Sequence, residues 1–188
     1  MPGSKGCTPL HYVAEQGHCE PARILLSKGV DVDPLHSFGT PLHMAIAAGQ
    51  DQVVKILLEH GADPNKFVDA FSPLGLACCR GSLKCMKLLI EAGADVNLRY
   101  PTGETVLMTA IDAGFTDIVK FLLEAGADPN ISNHDGLFPI MLAALHEYHE
   151  LVEILFPCTR LIPAVPAWSI DGIIVTMKYI RSKPQASV

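Results

Sequence analysis

What most restricts this chain is a block of about 33 residues that returns in register along most of its length. Thr8-Pro9-Leu10-His11 comes back as Thr40-Pro41-Leu42-His43 after 32 residues. Ser72-Pro73-Leu74-Gly75 follows after 32 more, Thr105-Val106-Leu107-Met108 after 33, and Phe138-Pro139-Ile140-Met141 after a further 33. The block ends keep the same phase: Gly29-Val30-Asp31, Gly61-Ala62-Asp63, Gly93-Ala94-Asp95 and Gly126-Ala127-Asp128. Such a period means that each block is one supersecondary unit, too small to bury its own apolar face, which must stack on its neighbours.

Each block reads as two helices. Thr40 is a helix N-cap, because its hydroxyl can satisfy a first-turn N–H. Pro41 falls at the first helical position, where its missing N–H costs nothing. Gly49 ends this helix and Gly61 the second. Val53, Val54, Ile56, Leu57 and Leu58 supply the second helix's apolar stripe, with Lys55 and Glu59 on the wet side. In the first block, helices are expected at Pro9–Gln16 and about Glu20–Lys28, with Val13, Ala14, Ile24 and Leu25 facing the core. The recurrent acids Asp31, Asp63, Asp95 and Asp128 suit turns that they pin by accepting backbone N–H bonds.

The T-P-L-H and G-A-D-x-N signatures at this period resemble the ankyrin repeat family, over roughly residues 5–157. The resemblance implies an all-α solenoid of helix–turn–helix units with hairpin fingers, in five repeats at about 5–35, 36–67, 68–99, 100–132 and 133–157. It follows a short tail at 1–4. Several positions depart from the pattern. Asp33 replaces the usual Asn, Gly75 and Met108 replace the His, Val106 replaces the Pro, and Phe138 replaces the capping Thr. His146 is read as standing where Gly ends the first helix of the last repeat.

After Pro157 the pattern is read as stopping. Residues 158–167 look like a proline-stiffened connector, and 168–182 like a capping helix that covers the last repeat. Ser169 is its cap, and Ile170, Ile173, Ile174, Met177 and Ile180 share one face, with Trp168 as a staple upon it. The segment Trp168-Ser169-Ile170-Asp171-Gly172-Ile173-Ile174 also resembles the junction to tetratricopeptide repeats in certain fusion proteins. That implies a structural spacer for a missing, chaperone-binding C-terminal domain. Residues 183–188 read as a tail.

Composition narrows the function. A net charge of -6 argues against nucleic acid, which needs a basic stripe. The longest apolar stretch, Leu161 to Met177, is broken by Pro163, Pro166, Asp171 and Gly172, so no membrane span is expected. The start Met-Pro-Gly-Ser lacks the basic and apolar regions of a secretory signal. The six cysteines are irregularly placed and form no C-x-x-C pair, which suits reduced thiols inside a cell, in the cytoplasm or nucleus. A zinc site from Cys7, His11, His18 and Cys19 is disfavoured, because His11 is a repeat position. With no Gly-rich phosphate loop, G-x-S-x-G or H-E-x-x-H, neither an enzyme nor a cofactor is expected.

The reading left is a monomeric adaptor for another protein. In the ankyrin family, partners bind finger tips and the exposed positions of the first helices. Carried over, this selects Leu35, His36, Phe38, Phe67, Val68, Phe71, Arg99, Tyr100, Glu104 and Leu137 from the fingers. From the first helices it selects Glu15, Gln16, Ala47, Ala48, Cys79, Arg80, Asp112 and Leu145. Turns normally carry Asp, Asn or Gly, so a finger reading Phe67-Val68-Asp69-Ala70-Phe71 is unusually apolar. Aromatics with Arg80 and Arg99 nearby match the side chains that dominate interface energies. The resemblance also marks Asn65, Asn97 and Asn130 as possible substrates of an asparaginyl hydroxylase.

Overall fold

The computed structural model describes residues 6–68 and 71–182. The extreme N-terminus, Asp69 and Ala70 of the apolar finger, and the tail from Lys183 lie outside the described residues. Among those described there are eleven α-helices, and extended pairing is confined to isolated bridges at finger tips. They fall into two compact units, residues 1–98 and 99–188.

The first unit holds α1 (Pro9–Gln16), α2 (Cys19–Ser27), α3 (Pro41–Ala47), α4 (Asp51–Glu59), α5 (Pro73–Cys79) and α6 (Leu83–Glu91). The first helices α1, α3 and α5 pack in series, as do the second helices α2, α4 and α6. Val53, Val54, Ile56 and Leu57 of α4 are fully buried, each contributing about 1.5–3 kcal/mol relative to exposure. Leu58 is only half-buried. In α2 the expectation fails: Ala22 and Leu26 are the core residues, Leu25 is half-buried and Ile24 is 53% exposed. Among the described residues α2 packs on α1 and α4, and this packing leaves Ile24 outside the core.

The second unit holds α7 (Val106–Asp112), α8 (Thr116–Glu124), α9 (Pro139–Leu145), α10 (His149–Leu155), a 3₁₀ turn at Phe156–Cys158, and α11 (Ile170–Ser182). Here α7 packs on α9 and α8 on α10. Glu147, not His146, takes the left-handed position that ends α9, with φ 61°. His146 remains helical in φ and ψ, and the residue after it corresponds to Gly49 and Gly114 of earlier repeats. Arg181 of α11 reaches back to the Leu145 carbonyl and the Glu147 carboxylate.

The caps explain why the helices begin where they do. In repeats one and two the Thr N–H donates to Nδ1 of the His three residues on, Thr8 to His11 and Thr40 to His43. The hydroxyl shares the same ring nitrogen at 2.9 Å in both. With Nδ1 accepting, the ring proton lies on Nε2, and His11 Nε2 donates to the Gly39 carbonyl at 3.1 Å. His11 therefore pins the next finger as well as its own turn, whereas the buried His43 Nε2 has no hydrogen-bond partner among the described residues. Where Gly75 replaces it, Ser72 Oγ accepts from the Gly75 N–H instead. Where Met108 replaces it, the buried Thr105 hydroxyl is left without a partner.

A second device ties repeat to repeat. Asp31, Asp63, Asp95 and Asp128 each accept the N–H two residues on, as their turn position predicts. This presents the next side chain to the following repeat. The Asn65 amide donates to the Gly93 carbonyl and accepts from the Asp95 N–H. Asn130 does the same with the Cys158 carbonyl and the Arg160 N–H. Asp33 makes only the accepting half, to the Asp63 N–H at 2.8 Å.

Repeat geometry therefore does not stop at Pro157. Cys158-Thr159-Arg160 occupies the place of Gly-Ala-Asp, and Thr159 is buried as Ala94 and Ala127 are. The connector also buries Ile162 and Val165. Ser169 Oγ accepts from the Gly172 N–H, as Ser72 does from Gly75. A Cβ at Gly172 would overlap the Ala167 carbonyl, so this turn requires glycine. Helix α11 packs on α9 as α9 packs on α7, the position of a sixth first helix. Ile173, Ile174 and Met177 are its buried face; Ile170 is half-buried and Ile180 is 47% exposed. Trp168, half-buried, stacks on Phe156, with ring centroids 5.6 Å apart.

Candidate functional site

The first unit carries a concavity between two fingers and the first helices beneath them. The second finger closes through paired backbone bonds between His36 and Gly39, and the third through the same pair between Val68 and Phe71. Gly39 permits this in two ways. Its φ is 114°, and a Cβ there would strike the His43 side chain. Each finger thereby turns an aromatic ring outward: Phe38 is 75% exposed and Phe71 48%.

Both rings line one cavity of about 490 Å³. Its remaining walls are Ser37, Val68, Met44, Ala47 and Leu76, with Glu15 and His43 as the ionisable members. His43 is 3% exposed, and burial lowers its pKa, opposed by the backbone at Phe71 and Lys66. Lowered in this way it is neutral at physiological pH, so among the described lining residues Glu15 carries the formal charge. The Glu15 main-chain carbonyl is held by Gln50 Nε2 at 3.2 Å, and its carboxylate forms no ion pair among the described residues.

The sequence-selected residues divide. Phe38, Val68, Phe71, Glu15 and Ala47 meet in the groove. Leu35, Cys79 and Arg80 are exposed, but none lines it. His36 is half-buried, its ring between those of His11 and Phe38 at 5.6 and 5.5 Å. Phe67 is half-buried and outside the groove, so the third finger presents one aromatic wall rather than two. Met44 and Leu76 were missed. They stand four residues after their caps, the position that Tyr12 occupies in repeat one, and an apolar run at that register was the signal available.

In the second unit, the selected polar groups are engaged locally. Arg99 Nη2 donates to the Ser132 carbonyl at 2.9 Å. Asp112 meets His146 Nε2 at 3.0 Å, and Glu104 accepts from the Thr102 hydroxyl at 3.1 Å. Tyr100 and Leu137 are half-buried. The asparagines marked for hydroxylation do structural service: both ends of the Asn65 and Asn130 amides are bonded to the following repeat.

Among the described residues no group of three or more His, Cys, Asp or Glu is arranged to hold a metal ion. No helix among them is long and apolar enough to cross a membrane. A family model described as ankyrin repeats (3 copies) matches residues 2–68 and 74–162. The chain belongs to the ankyrin repeat family. No curated protein matches it. Ankyrin repeats are generally protein–protein interaction modules, typically without catalytic activity of their own.

Proposed function

We propose that this ankyrin repeat protein is a non-enzymatic adaptor that binds a partner protein in the groove of its first unit. The observation that carries this reading is the pair of outward rings, Phe38 and Phe71, walling one apolar concavity over Met44, Ala47 and Leu76. Most of Phe38 and about half of Phe71 stay unburied in the isolated fold, forgoing part of the roughly 1.5–3 kcal/mol that full burial of such a ring contributes. Desolvated in a complex, they are the side chains from which interface energy mostly comes.

The test is a Phe38→Ser, Phe71→Ser variant of the full chain, compared with the wild type in affinity capture from native lysate. Exposed substitutions cost about 0.5 kcal/mol or less each, so helicity and melting should be nearly unchanged. Loss of captured partners by the folded variant is the expected result. An unchanged partner list would refute the groove, and early melting would show that the rings belong to the core.

A further inference from the structure

The groove has an electrostatic character that narrows its occupant. Among the described residues its lining carries one formal charge, the Glu15 carboxylate, which forms no ion pair among them and lies in the last turn of α1. Ala47, the last residue of α3, lines the same groove. His43 and Met44 of α3 line it too, so this helix runs along the groove, and neither α1 nor α3 has a basic residue in its last turn. His43 contributes no opposing charge, being held neutral by burial. The exposed Glu15 carboxylate thus stands beside apolar walls with no cationic group among the described lining residues. The net charge of -6 adds longer-range attraction for cations.

Resting on the groove reading, we propose that the occupant is a partner segment with a bulky apolar side chain and a lysine or arginine close to it. The apolar group sits between Phe38 and Phe71 over Met44 and Leu76. The cation reaches Glu15 across the same cavity of about 490 Å³, so the two lie close together in the segment. An acidic or phosphorylated segment is disfavoured by the same charges.

The experiment is selection of random dodecapeptides displayed on phage, against the immobilised full chain and counter-selected on the Phe38→Ser, Phe71→Ser variant. Groove-dependent peptides should be enriched in Lys or Arg next to Leu, Met, Phe or Trp. Glu15→Gln should weaken their binding roughly two- to fivefold, the scale of one exposed ion pair, and raised salt should do likewise. Groove-dependent peptides without basic residues, bound equally by Glu15→Gln, would overturn this inference and leave the groove standing. Peptides bound equally by the Phe38→Ser, Phe71→Ser variant would overturn both.

Discussion

Replacing Asp33 with Asn should stabilise the protein, because it completes a bond pattern that Asn65 and Asn130 make. Asn65 and Asn130 each donate to a carbonyl 28 residues on and accept from an N–H 30 residues on. Asp33 keeps the acceptor, bonded to the Asp63 N–H 30 residues on, but has no proton for the carbonyl of Gly61, 28 residues on. Its other oxygen, Oδ1, is buried without a partner. One added bond at a half-buried site is worth about 0.5–1.5 kcal/mol net, which for a chain of this size raises Tm by roughly 2–4 °C per kcal/mol. The pH dependence gives a second reading. Burial, the largest cause, holds the Asp33 pKa above its ordinary 3.8, with Asp63 and Asp31 adding repulsion. A carboxyl whose folded pKa is raised costs nothing when protonated in both states. It costs progressively more as pH rises from 3.8 through the folded value, then levels off. The advantage of Asp33→Asn should therefore be full at neutral pH and narrow toward pH 3.8. Urea denaturation of both proteins across that range measures it. A variant no more stable than wild type at pH 7 would refute the ladder argument.

Two other outcomes follow from burial. His11 and His43 have pKa values held below 6.5, chiefly by desolvation, so protonation favours the unfolded chain. The stability they lend is present above pH 6.5 and should be lost as pH falls through 6.5 toward their folded values; His43→Gln should flatten that slope in urea melts. Alkylation at pH 8 followed by peptide mass mapping should label the exposed Cys7, Cys79 and Cys158 in the native protein. Cys78 and Cys85, buried with thiols pushed up to about 12 and about 11, should stay unlabelled until the chain unfolds.

The legible parts of the fold were those written in side-chain chemistry. Thr8, Thr40 and Ser72 announce helix starts because a short hydroxyl side chain is what a first turn needs, and Asp63 announces a turn for the same reason. The continuation past Pro157 was hidden because Asn130 binds the carbonyl of Cys158 and the N–H of Arg160, groups that any residue there supplies. Glu147 was hidden too. A left-handed position invites Gly, and here Arg181 of a distant helix holds a glutamate in it.

By itself the sequence determined that the chain would be a stack of two-helix units, where the helices capped by Thr8, Thr40 and Ser72 begin, and that its fingers are apolar. These follow from local chemistry repeated at a fixed period, and the period alone forces stacking. Tertiary structure decided which apolar side chains remain outside. Ile24 stays exposed where α2 packs on α1 and α4, Phe67 is half-buried, and Phe38 and Phe71 face one cavity with Met44 and Leu76. Residue type sets the cost of exposing a ring, but the packing of other repeats around it sets whether that cost is met in the fold or left for a partner to relieve.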